Sequence, residues 1–75
     1  MIVVELNLMF ADMLGQKRVA LDVGEGISLE GLAARLKLPY EDMGMLLINK
    51  QWAPLEGSTI RDGDVVQLYP YMDGG

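Results

Sequence analysis

From Ile2 the chain alternates, with Ile2, Val4, Leu6, Leu8 and Phe10 on one side and Val3, Glu5, Asn7 and Met9 on the other. That two-residue period predicts a first strand over residues 2–10 with one buried face. Asp12 and Gly15 predict a hairpin loop over 11–16, and Val19, Leu21 and Val23 alternate in a second strand over 17–23. After Gly24-Glu25-Gly26 the period changes. Leu29, Leu32, Ala33 and Leu36 recur at helical spacing, behind Ser28 as N-cap and with Ile27 and Leu32 placed for a hydrophobic staple. Gly31 weakens this helix by about 1 kcal/mol relative to alanine, and Pro39 stops it.

Met45-Leu46-Leu47-Ile48 is an apolar run of strand length, and Asn49-Lys50 carries half of a tight-turn signal. A brief return strand over Gln51-Trp52-Ala53 is limited to an edge by Pro54. Leu55 to Ile60 reads as irregular or as a single helical turn. Arg61-Asp62-Gly63-Asp64 is a strong turn, and Val65 to Tyr69 is the last strand. In it Val66 and Leu68 face one way, and Val65, Gln67 and Tyr69 the other. Pro70, which has no N–H to donate, is expected to end the pairing. Two hairpins flanking one amphipathic helix, joined by a right-handed crossover, place the first and last strands parallel at the centre of the sheet. The expected fold class is α+β: a β-grasp, with a mixed sheet packed over one main helix.

Composition narrows the chemistry. A chain of 75 residues holds one core, and with 51% hydrophobic residues it folds rather than remaining disordered. The absence of cysteine and histidine removes thiol nucleophiles, thiolate metal sites and the commonest general base. Six basic against eleven acidic residues, a net charge of −5, argue against nucleic acid or an anionic membrane as partner. No apolar run approaches the roughly 20 residues needed to span a bilayer, and Met1-Ile2-Val3-Val4-Glu5 lacks a signal peptide's charged start. The expected location is cytoplasmic.

The chain end is the stretch the rest is built to present. A β-grasp domain over 1–70 is followed by an expected flexible tail over 71–75, ending in Gly74-Gly75. On the sheet face away from the helix, Tyr69, Val65, Val3 and Met9 are candidates for an exposed apolar contact patch, with Tyr69 as its anchor. Tyr71 and Met72 are further candidate contacts in the tail. Trp52 reads as a packing residue more readily than as a contact, and the six methionines as adaptable packing. Asp62 and Asp64 flank Gly63 and read as turn residues rather than a metal-binding pair.

Asp62-Gly63-Asp64-Val65-Val66, Leu46-Leu47-Ile48-Asn49 and the terminal Gly74-Gly75, in that setting, resemble the ThiS and MoaD family of ubiquitin-like sulfur carriers over nearly the whole chain. Leu32 to Pro39 is similar to the thiamine carrier's helix end, and Phe10-Ala11 and Tyr69-Pro70 to the molybdopterin synthase small subunit. The resemblance implies that the Gly75 carboxylate is adenylated and then converted to a thiocarboxylate, donating sulfur in molybdopterin, tungstopterin or thiamine biosynthesis. It implies a carrier rather than an enzyme, with no cofactor or metal of its own. ATP and Mg are used by a ubiquitin-activating-type adenylyltransferase, and sulfur comes from a sulfurtransferase or cysteine desulfurase. The large subunit of molybdopterin synthase, or thiazole synthase, is the implied acceptor. Three positions depart from the family pattern. Lys50 replaces the usual glycine after Asn, which would lengthen or distort the turn; Tyr71 replaces a second proline; and Asp73 sets a charge beside Gly74. Two other readings stay open: a protein modifier joined to lysines through Gly75, and a β-grasp interaction module with no terminal chemistry.

Overall fold

The computed structural model describes residues 1–71. Met72, Asp73, Gly74 and Gly75, and the expectations placed on them, lie outside the described residues. The elements in order are β1 (Ile2–Leu6), α1 (Met9–Leu14), β2 (Arg18–Leu21), β3 (Ile27–Ser28) and α2 (Leu29–Leu36), then a 3₁₀ turn (Tyr40–Asp42), β4 (Met43–Ile48), β5 (Gln51–Ala53), β6 (Thr59–Ile60) and β7 (Val65–Pro70). Five strands form one sheet in the order β2-β1-β7-β4-β5. β1 and β7 run parallel at its centre, and the other pairs in that sheet are antiparallel. This is the α+β, ubiquitin-like β-grasp that the pattern predicts.

The core lies between that sheet and α2. Ile2, Val4 and Leu6 of β1, Val66 and Leu68 of β7 and Leu46 of β4 are buried against Leu29, Leu32, Ala33 and Leu36 of α2. Ser28 caps α2, its Oγ accepting the Gly31 N–H at 3.0 Å. The missing Cβ at Gly31 has a packing reason, since a Cβ there would lie 3.0 Å from Ile27 Cγ1. The helix closes on Lys37 in the left-handed region (φ 58°). Lys37 N–H donates to Ala34 O at 3.2 Å and Leu38 N–H to Ala33 O at 2.9 Å, so two carbonyls at the helix end are satisfied before Pro39.

Four local expectations are corrected. β1 ends at Leu6 rather than at residue 10, because Leu8 adopts φ 56° and the chain turns into α1. Residues 11–14 of the stretch expected to be a hairpin loop belong to that helix. Phe10, Ala11 and Leu14 have the i, i+1, i+4 spacing of one helical face, and Phe10 is fully buried. Gly15 does break the chain, but as a left-handed helix cap whose N–H bonds Ala11 O, not as a hairpin residue. Thr59–Ile60, within the stretch read as irregular, pairs with Ile27–Ser28 as a second, two-stranded sheet. Pairing also continues past Tyr69: Pro70 stands opposite Met43, and Tyr71 N–H donates to Asp42 O at 2.6 Å. Proline lacks a donor, but Tyr71, one residue later, supplies one.

The turn with Lys50 is not lengthened. Ile48 pairs with Gln51 directly, with Asn49 at φ 53° and Lys50 at φ 67° forming a two-residue turn. No helix among the described residues is long and apolar enough to cross a membrane.

Candidate functional site

Among the described residues the sheet has one face under α2 and one without such a cover, and its register fixes what the second presents. Trp52 stands opposite Leu47, Leu47 opposite Gln67, Gln67 opposite Glu5 and Glu5 opposite Arg18. One step towards the end of β7, Met45 stands opposite Tyr69. One step the other way, Val65, Val3 and Ala20 align. These residues alternate with the buried ones along each strand, so their side chains share the outer face.

The face divides by chemistry. Trp52, Leu47, Met45 and Tyr69 make an apolar half over β5, β4 and β7, and Val3 and Val65 continue it along one end. Trp52 is 77% exposed, so most of its ring is in water. Beyond Val3 and Ala20 the β1–β2 half is charged, where Arg18 Nη1 lies 3.8 Å from Glu5 Oε2 in a solvent-exposed pair that contributes little to stability. A large exposed aromatic next to half-buried aliphatics, rimmed by one ion pair, has the make-up of a protein contact surface.

Of the residues expected there, Val3, Val65 and Tyr69 come together. Met9 does not. It lies on α1, not on the sheet, because β1 ends three residues earlier. There it is exposed, as are Leu8 and Met13. Tyr71 follows β7 and is 70% exposed. Leu47, Met45 and Trp52 join the surface although the sequence reading did not place them on it. The signal was present in Met45-Leu46-Leu47-Ile48, which is apolar on both faces where one-sided burial would call for alternation.

The other pole of the sheet is a polar lock. Asp64 Oδ1 accepts from Asn49 Nδ2 at 3.0 Å, Asp64 Oδ2 accepts from Arg61 N–H at 2.8 Å, and Asn49 Oδ1 accepts from Val65 N–H at 2.9 Å. The Asp64 carboxylate therefore serves the turn. Asp62 pairs with the Met1 ammonium at the same pole. Hydrogen bonding from the ammonium is the main cause holding the Asp62 carboxyl below its ordinary range, and the same bond raises the ammonium.

At the tail end the chain leaves between two fixed points. β7 is held by β1 on one side and β4 on the other, and the Tyr71 N–H is bonded to Asp42 O. The residues that follow Tyr71 are Met72-Asp73-Gly74-Gly75. A five-stranded β-grasp with an apolar outer face, and with its central strand running into a diglycine, has the architecture of a ubiquitin-like protein.

No protein-family model and no curated protein matches the sequence. Solved structures do match. SAMP1 from Haloferax volcanii superposes with a TM-score of 0.73 at 24% identity, over 99% of this chain and 98% of that one. A structure of the H. volcanii small archaeal modifier protein 1 gives 0.71 at 21% identity, over 95% and 97%. A Pyrococcus furiosus protein provisionally described as molybdopterin converting factor, subunit 1, gives 0.72 at 17% identity, over 95% and 97%. The chain thus has the ThiS/MoaD-like ubiquitin-like fold over nearly its whole length, at identities that show the fold alone.

Proposed function

We propose that this chain is a sulfur carrier whose Gly75 carboxylate is adenylated and then converted to a thiocarboxylate. The observation that carries the reading is the position of Gly74-Gly75, four and five residues past the central strand of a ubiquitin-like sheet. On this reading residues 1–70 are the docking body and 71–75 the reacting tail.

The chemistry asks little of the carrier. A carboxylate is a poor electrophile at neutral pH because its leaving group is poor. Attack of a Gly75 oxygen on the α-phosphorus of ATP releases pyrophosphate and makes an acyl adenylate. A persulfide on the sulfur donor then displaces AMP to give an acyl disulfide, and a second thiol cleaves its S–S bond, leaving the thiocarboxylate and a disulfide on the donor. ATP and Mg belong to a separate adenylyltransferase, and sulfur comes from a sulfurtransferase or cysteine desulfurase. The carrier contributes no catalytic side chain, in keeping with a sequence that has neither Cys nor His. Its outer face, with Trp52, Leu47, Met45, Tyr69, Val65 and Val3, is the surface that docks the activating enzyme. The likeness to a molybdopterin converting factor subunit supports a pterin synthase large subunit as acceptor, ahead of thiazole synthase. The expected compartment is the cytoplasm.

A second reading has its own support in the likeness to a small archaeal modifier protein: conjugation of Gly75 to target lysines. One experiment separates the two. Intact-mass analysis of the protein from its own host detects one oxygen replaced by sulfur, localised to Gly75, if it is a carrier. ATP-dependent high-molecular-weight conjugates with no thiocarboxylate would instead select the modifier, and neither product would leave an interaction module.

A further inference from the structure

We infer that Gly44 is a positioning residue for the terminal chemistry: the space left by its missing Cβ sets where the chain departs from the sheet at Tyr71, the point from which the reacting end must reach its partner. The inference rests on the proposed activation of Gly75 and deepens it.

A Cβ built on Gly44 would lie 2.6 Å from Tyr71 Cα, 2.9 Å from Tyr71 N and 3.1 Å from Pro70 O. Every one of these neighbours is backbone, so no side-chain rotation can relieve the overlap. Any other residue at 44 must displace the chain at 70–71 or the strand beneath it. The contact lies where the β4–β7 register shifts between Met43 and Met45, leaving Gly44 as the extra residue of a bulge. Beside it Tyr71 N–H donates to Asp42 O at 2.6 Å, at the end of the 3₁₀ turn. Two independent constraints, one steric and one hydrogen-bonded, thus converge on a single residue, four positions before Gly75. A regular strand would pair with β7 without a bulge. Instead β4 is bulged and carries a glycine in its interior, where glycine weakens a strand.

The physical need is clear. Adenylation forms a bond between a Gly75 oxygen and the α-phosphorus as the α–β phosphoanhydride bond breaks and pyrophosphate leaves. Such a displacement needs the nucleophile close and in line, and a misplacement of about 1 Å costs about a hundredfold in rate. The outer face docks the body of the domain, while Gly44 sets the launching point of its tail. The two should therefore separate in kinetics.

The test compares the full-length chain with Gly44→Ala in ATP–pyrophosphate exchange with an activating enzyme, alongside hydrogen exchange of the Tyr71 amide. Gly44→Ala is expected to lower kcat roughly ten- to a hundredfold with KM within about twofold, and to expose the Tyr71 amide while those of Leu46 and Leu68 stay protected. A wild-type kcat together with a freely exchanging Tyr71 amide would overturn the positioning role and leave the functional reading standing. A wild-type chain that no activating enzyme accepts would overturn that reading, and the inference with it. Should Gly44→Ala fail to fold, Tyr71→Pro removes the N–H bonded to Asp42 and is compared with Tyr71→Ala, which loses the same ring but keeps the donor. A kcat drop in the proline variant alone supports the inference, and equal kcat values overturn it.

Discussion

The side-chain amide of Asn49 donates to Asp64 Oδ1 at 3.0 Å, tying the β4–β5 turn to the first residues of β7. Its own oxygen accepts the Val65 N–H at 2.9 Å, and its backbone N–H donates to Val65 O at 2.7 Å. One residue thus closes three bonds between segments that are separate in sequence. Leu46-Leu47-Ile48-Asn49 and Asp62-Gly63-Asp64-Val65, two motifs that carried the family resemblance, are the two halves of this lock. They hold the end of the sheet opposite the tail.

Asn49→Ala should therefore cost about 1–2 kcal/mol, since two side-chain bonds are lost and alanine fits the left-handed region poorly. Asn49→Gly loses the same bonds but tolerates φ 53°, so it should cost less. Urea unfolding of both variants at unchanged m-value separates the hydrogen-bond part from the conformational part.

Lys50 gives the opposite sign. At φ 67° it is strained for an L side chain, and its side chain is exposed. Lys50→Gly should stabilise the fold by up to about 1 kcal/mol, read as a higher Tm with unchanged activation. A lower Tm would mean that the lysine makes a compensating interaction in solution.

The outer face allows stability to be separated from docking. Trp52→Ala should change unfolding free energy by no more than about 0.5 kcal/mol, because most of the ring is already in water. It should weaken binding to the activating enzyme about tenfold or more, as loss of an interface aromatic does. Leu68→Ala, at a fully buried position of the same central strand, should instead lose about 2–5 kcal/mol. Equal binding by Trp52→Ala in a titration calorimeter would remove the β5 edge from the docking surface.

These sites also show what the sequence could and could not reveal. Strands β1 and β7 and the main helix with its Ser28 cap were legible because each has a local signal, a period or a cap, and the parallel pairing of β1 with β7 followed from the right-handed crossover. The Asn49-Lys50 turn was legible only in part, since Lys50 was expected to lengthen or distort it and the turn has two residues. α1 was not, because Leu8 and Phe10 continue the strand period past Leu6, and the break depends on a positive φ at Leu8. β3 and β6 were not, because two-residue strands carry no period and exist only through each other. Trp52 was misjudged because its side of β5 is set by pairing register with Leu47, which is a long-range property. Gly44 gave no local signal either, because the atoms it accommodates belong to residues 70 and 71.

Charge predicts kinetics rather than fold. A net charge of −5 should speed encounter with a basic partner surface. Association measured by stopped flow should slow roughly tenfold between low and high salt, because the screening length falls from about 30 Å at 0.01 M to about 3 Å at 1 M. Dissociation should change much less, since it depends on the desolvated contacts around Tyr69 and Trp52. A rate constant independent of salt would rule out steering.

The sharpest prediction concerns the chain end itself. Adding one residue after Gly75 turns its carboxyl group into an amide, which cannot attack the α-phosphorus of ATP. Fold and docking surface are untouched, because the core lies within residues 2–68. Adenylation should disappear while Tm and binding to the activating enzyme stay at wild-type values. Gly74→Ala is a graded version: its methyl group narrows the fit in any channel that admits the tail, so kcat should fall about tenfold or more with the carboxylate still present. Full activity in the extended variant would show that the reacting group is not the Gly75 carboxylate, and would overturn the proposed site of the chemistry. Loss in the extended variant alone, with Gly74→Ala unaffected, would keep the terminal chemistry and discard the narrow channel.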